Sequence, residues 1–296
     1  MTLYTQAESN SRKTWLYLTG FLIFIIILGW IISYLLNSFL ILWLAVFLSI
    51  FASFFSYWYS DKIVLKISKA KPIKKRDNPE LYRIVENLCI TAGLPLPKIF
   101  IINESQPNAF ATGRDPEHAV VAVTKGLLEK LDRTELQGVI AHELAHVGNR
   151  DTLLSTIIVV LVGIVVIITD FFFRISFWGG RGDNREGRGI MLIIALILAI
   201  LAPFFATIIR LAISRKREFL ADASGALLTR YPEGLAKALE KISGDTQPLK
   251  VANNATAHLY ITNPFRGKEE KSWLHKLFLT HPTIEQRTKA LRGMRI

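Results

Sequence analysis

The chain has 296 residues, 51% of them apolar, with a mean hydropathy of +0.32 and a formal net charge of +12, values that exclude a disordered polar chain. The apolar residues are concentrated in long runs, which excludes an ordinary soluble domain. A single cysteine, Cys89, excludes an internal disulfide framework and reads as a small buried hydrophobe. The positive charge lies beside the apolar runs, so it reports membrane topology and contact with anionic lipid; no nucleic-acid partner is expected.

In chain order, residues 1–13 form a polar tail ending in Arg12 and Lys13. From 14 to 60 there is no charged residue. A hydrocarbon core about 30 Å thick is crossed by roughly 20 apolar helical residues, so this run holds two spans with a reversal at Asn37 and Ser38. It is an uncleaved anchor: it is too long for a signal peptide, no small-residue cleavage site follows, and a second span comes at once. Lys62, Lys66, Lys69, Lys71, Lys74, Lys75 and Arg76 follow directly, a cytoplasmic flank by the positive-inside rule.

The segment 61–151 opens the soluble part. An amphipathic helix is predicted over 78–93, broken by Leu94-Pro95-Leu96-Pro97, then a strand over Lys98–Ile102. After the stretch 108–113 a second strand runs over 118–123. His118 stands at its start without ligand-like spacing and reads as a surface histidine. Thr124-Lys125-Gly126 leads into a short helix. Asp132 and Glu135 then form a capping box that starts the next one.

That next helix carries His142-Glu143-Leu144-Ala145-His146. Residues four apart lie one turn above each other, so both imidazoles project from one face and can share one Zn²⁺. Zinc held by two histidines and a carboxylate keeps a position for water and lowers its pKa to about 7. Glu143, at the edge of the same face, is placed to take a proton from that water. Asp151 is the nearest carboxylate downstream, but on a continuous helix it points away from the histidine face.

Two more apolar runs, 152–169 and 190–209, read as a third and fourth span within 152–213. They are separated by the loop 174–189, with a Gly/Arg-rich stretch at 179–189. Asp170 and Arg174 form an interfacial pair. Arg215, Lys216 and Arg217 follow the fourth run. With four spans the N-terminus, 61–151 and 214–296 are all cytoplasmic; Arg174, Arg181, Arg185 and Arg188 argue the other way, diluted by Asp183 and Glu186. The two soluble segments pack into one catalytic domain. In the second of them Glu218 and Asp222 lie one turn apart, suited to a ligand and to a partner for a ligand histidine. His258, His275 and His281 stand as rivals for the third ligand.

His142-Glu143-Leu144-Ala145-His146 with Glu218-Phe219-Leu220-Ala221-Asp222, Asn108-Ala109-Phe110-Ala111-Thr112-Gly113 and Thr280-His281-Pro282 resembles the HtpX family of membrane-bound zinc metalloproteases, bacterial relatives of the CAAX prenyl proteases. The resemblance covers nearly the whole chain. It implies a mainly α membrane protein: transmembrane helices plus a cytoplasmic α+β zincin-like domain with a small sheet. It implies one zinc per subunit on His142, His146 and Glu218, Glu143 as the catalytic base, and Asp222 as the histidine's partner. It further implies proteolysis of misfolded or damaged membrane proteins at the bacterial inner membrane, a quality-control and stress-response role. Asn108, Ala109, Phe110 and Val121 would hold the substrate backbone, and His281 would lie near the site. The polar tail and the loop 179–189 are less family-like. The competing class is a membrane scaffold or transporter with a structural or inactive metal site. Against it, the spans hold almost no buried polar groups of the kind that mark a pathway.

Overall fold

Two apolar helices open the molecule. In the computed structural model, which describes residues 3–35, 37–158, 160–161, 215–245, 259–261 and 282–294, α1 (Leu3–Leu35) and α2 (Phe39–Ile67) form an antiparallel hairpin. The reversal comes at Asn37, whose φ of 47° suits the residue type best able to adopt it apart from glycine, and Ser38 caps α2. Within the pair, Ser9–Tyr34 and Phe39–Ile67 are each long and apolar enough to cross a membrane, with mean hydropathy 2.4. Phe39, Trp43, Phe47, Phe51, Phe54 and Trp58 of α2 are exposed, an apolar surface that only lipid or further protein can cover. The polar start is not a separate tail. Helix begins at Leu3, and Asn10 and Thr14 are buried.

The soluble part begins with α3 (Pro79–Ala92). Asn78 caps it by accepting from the Leu81 N–H, and Gly93 ends it in the left-handed conformation. A four-stranded mixed sheet follows in the order β1-β2-β4-β3, from β1 (Lys71–Pro72), β2 (Lys98–Ile102), β3 (Ala109–Thr112) and β4 (Val120–Thr124). β2 and β4 are parallel and the other pairs antiparallel, with Ala109 opposite Val123 and Ala111 opposite Val121. The predicted strand start at His118 is instead a 3-10 turn, Pro116–His118, capped by Asp115. Proline at its first position favours that turn, and the exposed His118 is held by Asp115 and Arg114.

Alternation along the strands divides the sheet's faces. Ile99, Ala109, Ala111, Val121 and Val123 join the main core with the helices; Ile102, Phe110, Val120 and Ala122 pack on Val64 and Leu65 at the end of α2. The sheet therefore sits directly on the hairpin. Cys89 lies in the main core, where burial pushes its thiol up to about 11. After α4 (Lys125–Lys130), α5 (Arg133–Gly148) runs through the centre of the domain, contacted by α3, β3, β4, α6 (Arg215–Thr229) and α7 (Pro232–Ser243). The last described helix is α8 (Ile284–Arg292).

Residues 151–158 are helical again, and Leu153, Leu154, Ile157, Ile158 and Leu161 pack on Leu18, Phe21 and Ile25 of α1. The remainder of the third predicted span, the fourth, the loop 174–189, the Asp170–Arg174 pair, and His258, His275 and His281 lie outside the described residues.

Candidate metal centre

The metal centre is built on α5, whose start is fixed as its sequence predicts. Asp132 accepts from the Thr134 and Glu135 N–H groups, and Glu135 Oε2 accepts from the Asp132 N–H. Glu135 is itself buried and paired to Lys241 of α7 at 2.7 Å. Apolar side chains bury the other faces of α5, so buried His142 and half-buried His146 turn toward α6. That crossing is close because α6 offers Gly225 there: a Cβ at this position would lie 2.9 Å from the His142 backbone nitrogen. One turn earlier, Gly138 of α5 lies against the Leu235 backbone of α7 in the same manner. Any larger residue at either glycine separates the helices that carry the site.

Three side chains converge. His142 Nε2 and His146 Nε2 lie 3.2 Å apart, and Glu218 brings Oε1 to 3.6 Å from His146 Nε2 and Oε2 to 3.9 Å from His142 Nε2. One donor atom from each of the three falls within 4.8 Å of the others. The other ring nitrogens are engaged by carboxylates: His142 Nδ1 with Asp222 Oδ1 at 2.9 Å and His146 Nδ1 with Asp151 Oδ2 at 3.1 Å. An ionised carboxylate only accepts, so each Nδ1 carries the hydrogen and each neutral ring turns its Nε2 lone pair inward. Two lone pairs facing each other at that distance call for a cation between them. Tetrahedral zinc with bonds of about 2.0–2.1 Å sets its ligands about 3.3 Å apart, so the donor set fits that ion.

The electrostatics without a cation show the same demand. Burial pushes His142 down to about 4 despite its bond to Asp222. For His146, burial alone would lower the value, but the hydrogen bond to Asp151 and the charges of Glu218, Asp151 and Glu143 outweigh it and push the ring up to about 9. The negative charge that Glu218, Asp151 and Glu143 gather on the His146 ring favours a positive charge at this spot. Glu143 is pushed up to about 7, chiefly by burial; Glu218 raises it further, while His146, the Ala111 N–H and Arg287 pull it down. A carboxyl poised there suits a general base working at neutral pH.

Sequence reasoning placed His142, Glu143, His146, Glu218 and Asp222, and these five meet in one place. It placed Asp151 wrongly. The helix is not continuous: α5 ends at Gly148, Asn149 caps it, and Arg150 takes a φ of 56°, which swings Asp151 back to the His146 ring. The Gly148-Asn149 pair was the available signal for that break.

Arg287 of α8 was not singled out. Fully buried, it grips Asp222 with two hydrogen bonds of 2.8 and 2.6 Å, donates to the Ile261 carbonyl at 3.1 Å, and lies 3.9 Å from Glu218 Oε2. An arginine on a polar helix gives no local sign of such a role.

The cleft in front of the donors is lined by Ala111, Glu143, Thr152, Ser155, Leu259 and Ile261 among others. Of the residues expected to hold a substrate backbone, β3 stands at this cleft but Val121 does not. Val121 is buried on the interior strand β4, with hydrogen-bonding neighbours on both sides, so it has no free edge to offer. Phe110 faces the other side of the sheet, where it meets Tyr260 edge-on at 5.4 Å. Asn108 is buried at the strand start and accepts from the Ala109 N–H. Ala109 and Ala111 turn their backbone groups outward. The Ala109 carbonyl accepts from the Ile261 N–H at 3.1 Å, and the Ala111 N–H donates to Glu143.

The model of Peptidase family M48 matches residues 75–295. The chain is 47% identical over 295 residues to the Protease HtpX homolog of Dictyoglomus thermophilum, covering 99% of this chain and 95% of that one. It is 52% identical over 240 residues to the Protease HtpX homolog of Pyrococcus furiosus, covering 80% of each. Its fold is similar to the crystal structure of S. mikatae Ste24p, with a TM-score of 0.51 and 21% identity over 98% of this chain; it spans 66% of that longer chain.

Proposed function

This chain belongs to peptidase family M48 and is a membrane metalloprotease, and we propose that its metal is zinc, one ion per subunit, held by His142, His146 and Glu218. In this reading it is an endopeptidase of the bacterial inner membrane, anchored by α1 and α2 with the catalytic domain on the cytoplasmic side. Its substrates are misfolded or damaged membrane proteins, cut in their cytosol-facing segments. Anionic lipid meets the basic flank from Lys62 to Arg76. The observation that carries the reading is the convergence of two inward-facing Nε2 atoms and the Glu218 carboxylate beside a buried Glu143.

Bound zinc would supply a Lewis acid that polarises the scissile carbonyl and makes a water acidic near neutrality. Asp222 and Asp151 keep the imidazole protons on Nδ1, which fixes the rings and strengthens Nε2 as a donor. Glu143 takes the proton of the attacking water on its carboxylate and returns it to the leaving amine. The Ala111 N–H holds that carboxylate in place, so the base is aimed before substrate arrives. A substrate backbone meets the outer edge of β3 at the Ala111 carbonyl, since the Ala111 N–H is held by Glu143 and the groups of Ala109 by Ile261 and Asn108.

The test is cleavage of casein, an unfolded substrate, by the purified full chain in detergent. Activity is expected to vanish with a chelator and return with Zn²⁺. Cleavage that survives complete removal of metal overturns the reading.

A further inference from the structure

The N-terminal helix reaches the metal centre. Asn10 is fully buried, and its amide nitrogen donates to Asp151 Oδ1 at 2.6 Å and to the Asn149 carbonyl at 2.9 Å. Both partners are acceptors only, so the amide must turn Nδ2 toward them. These two bonds clasp the left-handed turn at Arg150 from both sides. Asp151 Oδ1 also accepts from Arg217 at 3.3 Å, which leaves Oδ2 to receive the His146 Nδ1 hydrogen. Asn10 stands outside the family match, which begins at residue 75.

We propose that Asn10 is a positioning residue of the metal centre: by fixing the rotation of the Asp151 carboxylate and the turn that carries it, it aims His146 Nε2 at the ion. The inference rests on the zinc reading above. Asparagine is the side chain the place requires. An aspartate of the same shape sets one carboxylate against another and against a carbonyl, and an alanine leaves a buried carboxylate short of a donor. The helix is anchored by its apolar face, where Leu18, Phe21 and Ile25 pack on Leu153, Leu154, Ile157, Ile158 and Leu161. Thr14, one turn on from Asn10, is also buried, but its hydroxyl donates at 3.0 Å to the Asn10 carbonyl, a bond internal to the helix. A membrane helix thus supplies a polar rung to the site and apolar rungs beneath it.

The experiment measures Zn²⁺ affinity by chelator competition, and the visible spectrum of the Co²⁺-loaded protein, for the full chain in detergent. The variants are Asn10→Ala, Asn10→Asp and, as a control on the same helix face, Thr14→Val. Both Asn10 variants are expected to lose about tenfold in affinity, at the low end of the 10–100-fold known for outer partners of metal ligands. Their Co²⁺ bands should shift, and kcat on casein should fall with KM unchanged. Thr14→Val should keep the wild-type affinity and spectrum even where its melting temperature drops. Wild-type affinity and spectrum in the folded Asn10→Asp protein overturn the proposal and reduce Asn10 to packing. Failure of the unaltered chain to bind Zn²⁺ would instead defeat the zinc reading itself.

Discussion

The two histidines of the metal helix are alike in chemistry and unlike in support. His142 leans on Asp222, which is clamped by Arg287, and every member of that chain is within the soluble domain and sealed from water. His146 leans on Asp151, which sits past a strained turn and is held by Arg217 and by Asn10 of the first membrane helix. The grip also differs in strength: the Arg287 fork makes two short charge-assisted bonds, whereas Arg217 makes one of 3.3 Å. One half of the site is an interior fixture of the domain. The other is a seam between domain and hairpin, so changes at the membrane reach the metal through His146 first.

The largest effect comes from the group both halves serve. Glu143→Gln keeps the shape and removes the proton acceptor, so activity on casein should drop by about 10²–10⁴-fold while zinc content is unchanged; wild-type turnover would remove Glu143 from the role of base. Next, Glu218→Ala should strip the metal more fully than either Asp151→Ala or Asp222→Ala, each of which should cost about 10–100-fold in affinity. The two aspartates are then separated by stability. Asp222→Ala leaves buried Arg287 with only the 3.9 Å contact to Glu218 for a counter-charge, at about 3–5 kcal/mol, and Asp151→Ala should cost less because Arg217 is the weaker clasp. Chemical denaturation read alongside metal content decides it, and equal losses would erase the contrast between the halves.

A smaller effect is expected from pH. Glu143 must be ionised to act; burial raises its pKa and a bound cation lowers it again, so kcat/KM should be full above about 7 and fall on the acid side of that value. A kcat/KM that rises as pH drops below 7 would remove Glu143 from the role of base. The last test moves no rate. In a Cys89→Ser background, Ser38→Cys should react with a membrane-impermeant maleimide added to intact cells and Lys74→Cys should not. The reverse pattern would put the domain, with both histidines, outside.

Local signals made much of this legible. Asn78 and Gly93 bound α3, Asp132 and Glu135 start α5, and the i,i+4 histidines name a face, because each of these depends on residues within a turn or two. Glu218 was readable as half of a spaced pair once a second carboxylate was required. What escaped was long-range or hinged on one dihedral. Asp151 was misjudged because a single positive φ at Arg150 reverses the chain. Arg287 and Asn10 act on partners 65 and 141 residues away, and nothing in their own neighbourhoods marks them. Val121 was expected to hold substrate only through the family resemblance, and a position carried over in that way does not tell an interior strand from an edge.

The division of the ligands along the chain has a consequence for synthesis. A chain made at about 5–20 residues per second presents His142 and His146 several seconds before Glu218, with the apolar stretch 152–213 made in between. Arg287, which clamps Asp222, comes later still. A growing chain that has exposed its own unfolded segments therefore has no complete centre with which to cut them, and the protease becomes competent only when its fold is nearly finished.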